Sequence, residues 1–157
     1  MIWTVVIRRV TLRNRVVVDA DACPVKSEIA RIVRHCGATA LLVSSYAHEL
    51  SPQEGVHVVA VDASSQSADL YIANVLTSRD VLVTGDYGLA ALGLSRGAAV
   101  LTPRGMVIRD DDIDSLLAQR HWSAKRRRAG QRTKGPPAFT KEDSAKFQQQ
   151  LTSLLQL

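Results

Sequence analysis

The stretch Val16-Val17-Val18-Asp19-Ala20-Asp21-Ala22-Cys23-Pro24-Val25 decides how this chain is read. Three β-branched apolar residues stop at two carboxylates, and a different periodicity starts at Pro24. A buried strand does not accommodate aspartate, but its C-terminal tip is where open α/β sheets place ligands. Residues i and i+2 of a strand point to one side, so the spacing predicts that Asp19 and Asp21 converge. Converging carboxylates repel unless a proton or a cation lies between them. A hard cation that prefers oxygen ligands, Mg²⁺ or Mn²⁺, is the natural occupant. The plainer alternative is that one aspartate caps the next helix and the other is merely exposed.

Outward from this stretch, strands and helices alternate. Pro24 suits a first helical turn, and Val25, Ile29, Ile32, Val33 and Cys36 follow on one face until Gly37 ends the helix. Ala38–Val43 and Val56–Val61 read as the second and third strands. Ser65 or Ser67 is placed to cap a helix containing Leu70, Ile72, Ala73, Val75 and Leu76. Val81–Val83 is a fourth strand that runs into Thr84-Gly85-Asp86. A helix from about Tyr87 to Arg96 and a fifth strand, Ala99–Leu101, follow. This order predicts an α/β fold with a mostly parallel sheet of about five strands. After the turn at Pro103-Arg104-Gly105, Asp111–Leu117 reads as a short helix and Lys134-Gly135-Pro136-Pro137 as a loop. Thr140-Lys141-Glu142-Asp143 resembles a capping box, opening a last helix with Phe147, Leu151, Leu154 and Leu155 on its core face. Residues 1–15 read as an edge strand or an N-terminal extension before a single domain over residues 16–157.

Of the 157 residues, 46% are apolar but only 4% aromatic, so the core must be built from Val, Leu, Ile and Ala. The longest apolar runs fall far short of the ~20 residues of a membrane span. The arginine-containing N-terminus lacks the pattern of a secretory signal. Cys23 and Cys36 are too few for a disulfide framework or a zinc cage, which predicts a cytoplasmic protein with free thiols. Lys plus Arg exceed Asp plus Glu by 20 − 15 = 5. The excess gathers in a basic segment, residues 120–134, where Arg120, Lys125, Arg126, Arg127, Arg128, Arg132 and Lys134 occur with no acidic residue. Such a block draws polyanions, and phosphate backbones are the commonest partner. Arg104 joins Lys125, Arg126, Arg127, Arg128, Arg132 and Lys134 as a candidate nucleic-acid contact. The competing reading is a solvated basic segment with no specific ligand.

Asp86 repeats the logic of Asp19, at the tip of a buried strand where Gly85 permits a sharp turn. Asp69 lies in a first helical turn, where the dipole favours an anion whether or not it has a function. Glu28, one turn into its helix, is a weaker candidate. If the strand order is 3-2-1-4-5, the first and fourth strands are neighbours whose helices leave on opposite faces, so these carboxylates flank a crevice. Ions held there position a phosphodiester and activate a water. His35, His48, His57 and His121 are scattered, and Cys23 has no adjoining base, so neither residue type is assigned catalysis.

At this point the chain resembles a known family. Asp19-Ala20-Asp21-Ala22-Cys23-Pro24-Val25, Ser67-Ala68-Asp69, Thr84-Gly85-Asp86 with Leu89-Ala90, Pro103-Arg104-Gly105, and Gly135-Pro136 with Phe139 are similar to motifs of the YaiI/YqxD family of bacterial proteins. That family is grouped with PIN-like domains, mostly metal-dependent ribonucleases with an acidic cluster at the strand tips. The resemblance implies a three-layer PIN-like fold with strand order 3-2-1-4-5 and a C-terminal helix. It implies Asp19, Asp21, Asp69 and Asp86 as the catalytic, metal-binding cluster and RNA as partner. Two positions depart from the pattern: Gln66, where Asp is common, weakens one metal position, and Asp112 stands where Asn is usual. A haloacid dehalogenase-type phosphatase also begins with Asp-x-Asp after its first strand, and Ser44 imitates its second motif. It needs a lysine before the last acidic motif, however, and none occurs between Ser45 and Asp86. A third reading is a protein that binds RNA through the basic segment without cutting it.

Overall fold

The structure, a computed structural model, describes residues 13–45, 50–64, 66–132, 135 and 137–156. The edge strand or extension expected at the N-terminus lies outside the described residues as far as residue 12, as do His48, Ser65, Lys134 and Pro136. The strands are β1 (Arg15–Asp19), β2 (Thr39–Ser44), β3 (Val56–Ala60), β4 (Asp80–Val83), β5 (Ala99–Leu101) and β6 (Val107–Ile108). The helices are α1 (Lys26–Cys36), α2 (Ser67–Val75), α3 (Tyr87–Ser95), α4 (Asp110–Arg128) and α5 (Lys141–Gln156). They form a three-layer α/β architecture around one sheet of order β3-β2-β1-β4-β5-β6. All neighbouring strands are parallel except β5 and β6.

The alternation of β1 explains its uninterrupted apolar run. Val16 and Val18 pack with Ile29 and Val33 of α1 and Phe147 and Leu151 of α5, whereas Val17 packs with Ile72 of α2 and Leu89 of α3. With both faces covered, no polar residue fits until the strand ends. In α1, Ile29, Ile32 and Val33 turn inward, and Gly37 closes the helix at φ 67°. Pro24 lies in the turn before α1 rather than inside it, although the helical hydrogen bonding already starts from Val25, whose carbonyl accepts from Ile29 at 3.0 Å. The capping box of α5 forms as expected: Thr140 N–H donates to Asp143 Oδ2 at 3.0 Å and Asp143 N–H to Thr140 Oγ1 at 3.1 Å. Phe147, Leu151 and Leu155 are buried against the sheet, so that stripe is core. Complete burial of Phe147 contributes on the order of 2–3 kcal/mol.

At the end of the sheet opposite the strand tips, Arg15 forks onto buried Asp80 at 2.8 and 2.7 Å, and Asp80 also accepts from Thr77 N at 2.8 Å. This pins the starts of β1 and β4 in register, the pairing on which their tips depend.

Three elements differ from the sequence reading. First, β6 is absent from it because two residues carry no periodicity. The strand follows a turn in which Gly105 N donates to Thr102 O at 2.9 Å. Second, α4 runs to Arg128 instead of ending near Leu117. None of its residues is buried, so an apolar period does not mark its second half. Good helix formers sustain it, with Asp110, Asp111 and Asp112 in the first turn and Lys125 to Arg128 in the last, both favoured by the dipole. Third, Ser67 does not cap α2: it is the first helical residue and shares a hydroxyl hydrogen bond with Ser64, while Gln66 occupies the cap position. Among the described residues no helix is long and apolar enough to cross a membrane.

Candidate functional site

The tips of β1 and β4 lie side by side, and their helices depart to opposite layers, α1 to one and α3 to the other. A cleft of about 670 Å³ opens there. Asp19 and Asp86 line one side, and Gln119, Arg120, Ser123 and Arg127 of α4 line the other.

Asp19 ends β1 on the side of β4, where its Oδ2 accepts from the Thr84 hydroxyl at 3.2 Å. Burial raises its carboxyl above the usual range. Thr84 partly offsets this, and the charges of Asp69, Asp21 and Asp86 push in the same direction as burial. Asp69, in the first turn of α2, is raised by burial and by Asp86 and pulled back by Arg120. Asp86 is the N-cap of α3: Oδ1 accepts from Gly88 N at 2.8 Å and Leu89 N at 3.1 Å. Thr84 connects the two tips, since its hydroxyl also accepts from Asp86 N at 3.0 Å. Arg120 Nη1 sits 3.4 Å from Asp86 Oδ1, over Gly88, where a Cβ would approach Nη1 to 3.0 Å.

Asp21 takes a different place from the one strand alternation predicts. β1 ends at Asp19 and the chain turns, so Asp21 reaches the end of β2. There it accepts from the hydroxyl of Ser44, from Ser45 N at 3.0 Å and from Ser45 Oγ at 2.7 Å. It contributes charge to Asp19 without lining the cleft. Glu28 does not line the cleft either. Among the described residues, no three His, Cys, Asp or Glu side chains stand close enough together to hold one metal ion.

Cys23 is buried, and that burial pushes its thiol up to about 11. A thiol so reluctant to ionise is a poor nucleophile. His35, His57 and His121 are exposed. Arg104 reaches Asp143 at 2.9 Å, donates to the Pro137 carbonyl and lies 5.9 Å from the Phe139 ring centroid. These contacts tie the β5–β6 turn to the start of α5. Asp112 accepts the Arg109 N–H at 3.1 Å and so serves the start of α4.

The sequence profile of the family described as "Uncharacterized BCR, YaiI/YqxD family" matches residues 17–157, from within β1 through α5. The chain belongs to the YaiI/YqxD family. A UPF0178 protein of Halalkalibacterium halodurans is 51% identical over 140 residues, covering 89% of each chain. One from Shouchella clausii is 44% identical over 141 residues, covering 90% of this chain and 92% of its own. One from Bacillus velezensis is 44% identical over 152 residues, covering 94% and 90%. No solved structure matches.

Four residues that hold or face the site carboxylates in this family member, Thr84, Ser44, Ser45 and Arg120, escape a reading of the sequence alone. Thr84 stands there only as part of a motif, no spacing links Ser44 and Ser45 to Asp21, and Arg120 is one charge in a basic block. Helical spacing is the signal that finds the last: Arg120, Ser123 and Arg127 repeat at three and four residues. That pattern has meaning only once α4 is known to continue past Leu117.

Proposed function

We propose that this protein is a divalent-metal-dependent nuclease that hydrolyses RNA phosphodiesters, with Asp19, Asp69 and Asp86 as its acidic centre. The observation that carries this reading is that Asp19 and Asp86, at the tips of β1 and β4, line one cleft together with Arg120 and Arg127 of α4, while the charges of Asp69 and Asp21 act on Asp19 from outside that lining. Anionic groups kept together and partly buried destabilise one another, an arrangement that selection for stability alone does not favour. The all-oxygen donor set fits Mg²⁺ or Mn²⁺. Mg²⁺ commonly takes one or two carboxylates and keeps several waters, so a preformed three-residue cage is not required. Asp19 and Asp86 would hold it, with Asp69 close by and Asp21 contributing charge. When bound, such an ion neutralises the scissile phosphate and makes a water more acidic.

The protein's own groups divide the remaining tasks. Thr84 orients Asp19, the first amides of α3 fix Asp86, and Arg120 and Arg127 counter the charge of an incoming phosphate backbone. The grouping of the YaiI/YqxD family with PIN-like domains, which the sequence resemblance implies, points the same way, and a cytoplasmic setting agrees with the two free thiols.

A second reading, an RNA-binding protein without hydrolytic activity, is favoured by the lack of three assembled ligands among the described residues. Single-turnover cleavage of end-labelled RNA with Mg²⁺ or Mn²⁺ separates the two. Cleavage is expected from the native protein and from Cys23→Ala, and none from Asp19→Asn or Asp86→Asn. Asn is as good an N-cap as Asp, so the latter variant keeps α3 intact. RNA binding with no cleavage under any of these conditions would establish the second reading.

A further inference from the structure

α4 carries more than the cleft wall. Trp122 is 59% exposed, an unusual placement for a large aromatic ring in a chain so poor in aromatics. Lys125 Nζ lies 5.2 Å from its ring centroid, and His121 meets it edge-on at 6.3 Å. Trp122 and Arg126 share a second groove, about 600 Å³, with Gln119 and Ser123. Those last two residues also line the acidic cleft, so groove and cleft join across a single strip of α4. Helical geometry accounts for the junction. At about 100° per residue, Arg120 and Arg127 coincide on one stripe, Trp122 and Arg126 on another, and Gln119 and Ser123 lie between them.

We propose that Trp122 is a stacking platform for a base of single-stranded RNA whose backbone crosses Gln119 and Ser123 into the Asp19–Asp86 cleft. The inference rests on the nuclease reading for the direction of the strand, while the stacking itself needs only the groove. A polyanion is the partner because the platform is bordered by Lys125 and Arg126, in a stretch of sequence with no acidic residue between Arg120 and Arg132. A single strand is the form because its bases are unstacked and offer a free face to an aromatic ring. Lys125 sits over the indole by cation–π attraction and supplies a charge for the phosphate next to the stacked base.

The experiment measures binding in chelator, where cleavage is silent, using a fluorescent uridine octamer and the same octamer with abasic positions. Trp122→Ala should bind the intact octamer about tenfold more weakly, and Trp122→Phe should retain most of the affinity. The native protein and Trp122→Ala should bind the abasic octamer alike. Equal affinity of native and Trp122→Ala protein for the intact octamer would overturn the proposal, as would no binding by the native protein. If the same loss appears with vesicles of anionic lipid but not with the octamer, α4 is a membrane-facing helix and the proposal also fails. Failure of the nuclease reading has its own signature: RNA uncut in Mn²⁺ while the Trp122 dependence of binding persists.

Discussion

Arg120 Nη1 lies 3.4 Å from Asp86 Oδ1, joining the middle of α4 to the N-terminus of α3 across the mouth of the acidic cleft. The same guanidinium lowers the proton affinity of Asp69, so one cation partly neutralises two carboxylates. Asp86 meanwhile keeps its helix cap through Gly88 and Leu89. On the nuclease reading proposed above, a divalent ion would take over this neutralising role from the arginine.

Removing Arg120 should favour metal and disfavour RNA. The pair is partly exposed, so its strength is at most about 1 kcal/mol. Arg120→Ala should reach half-maximal thermal stabilisation at a Mn²⁺ concentration roughly two- to fivefold lower than the native protein, and should bind RNA more weakly. A higher Mn²⁺ requirement would mean that Arg120 supports the ion site instead of competing with it.

The acidic centre should make stability fall as pH rises. Asp19 and Asp69 both bind their protons more tightly when folded, mainly through burial. Their favourable contribution is full below the unfolded pKa near ~3.9 and is lost as pH rises through the raised folded-state values. In chelator, Asp19→Asn should have a higher Tm than the native protein at pH 7, with the difference vanishing near pH 3–4. Mg²⁺ should raise the native Tm at pH 7 and leave Asp19→Asn nearly unchanged. A lower Tm for the variant at neutral pH would show that the Thr84 bond outweighs the cost of burying the charge and the repulsion of its neighbours.

Replacing Lys125, Arg126, Arg127 and Arg128 by Ala should weaken RNA binding with little dependence on sequence. The salt slope should fall by about 0.7 for each phosphate of a single strand that the variant no longer neutralises. Ala is the best helix former, so α4 should persist, less the dipole benefit of its basic last turn. Circular dichroism confirms the helix, and titrations at several salt concentrations give the slope. An unchanged slope would assign these charges to solvation alone.

Gly105 should be among the least replaceable residues of the chain. Its φ is +87°, and a Cβ there would stand 2.6 Å from Phe147 N and 2.7 Å from the Lys146 carbonyl carbon. Backbone cannot move aside as a flexible side chain does, so Gly105→Ala should destabilise by about 3 kcal/mol or more by denaturant unfolding. Gly37→Ala is the comparison, with φ +67° but open space around the added carbon. It should lose only about 1 kcal/mol, and equal losses would refute the steric account.

Much of the fold is legible in the chain itself. Val16–Val18, Val81–Val83 and the spacing of Ile29, Ile32 and Val33 identify buried strands and an amphipathic helix, because burial on two faces or one leaves a period in the chain. Thr140 with Asp143 marks the start of α5 because a cap is a local interaction between residues three apart. The likeness of the opening motif to the YaiI/YqxD family is equally a property of the string. What belongs to the tertiary structure is everything that depends on residues distant in sequence. That Asp21 turns to Ser44 and Ser45 while Asp19 turns to Thr84 follows from which strands flank β1, and strand order is not written in any local period. That Arg120 meets Asp86, and that Trp122 lies on a stripe beside the cleft, required α4 to continue through residues that bury nothing. The second half of α4 buries nothing and leaves no apolar signature, so only the packing of the helix on α3 and its core cluster, through Ile113 and Leu116, decided where those side chains go.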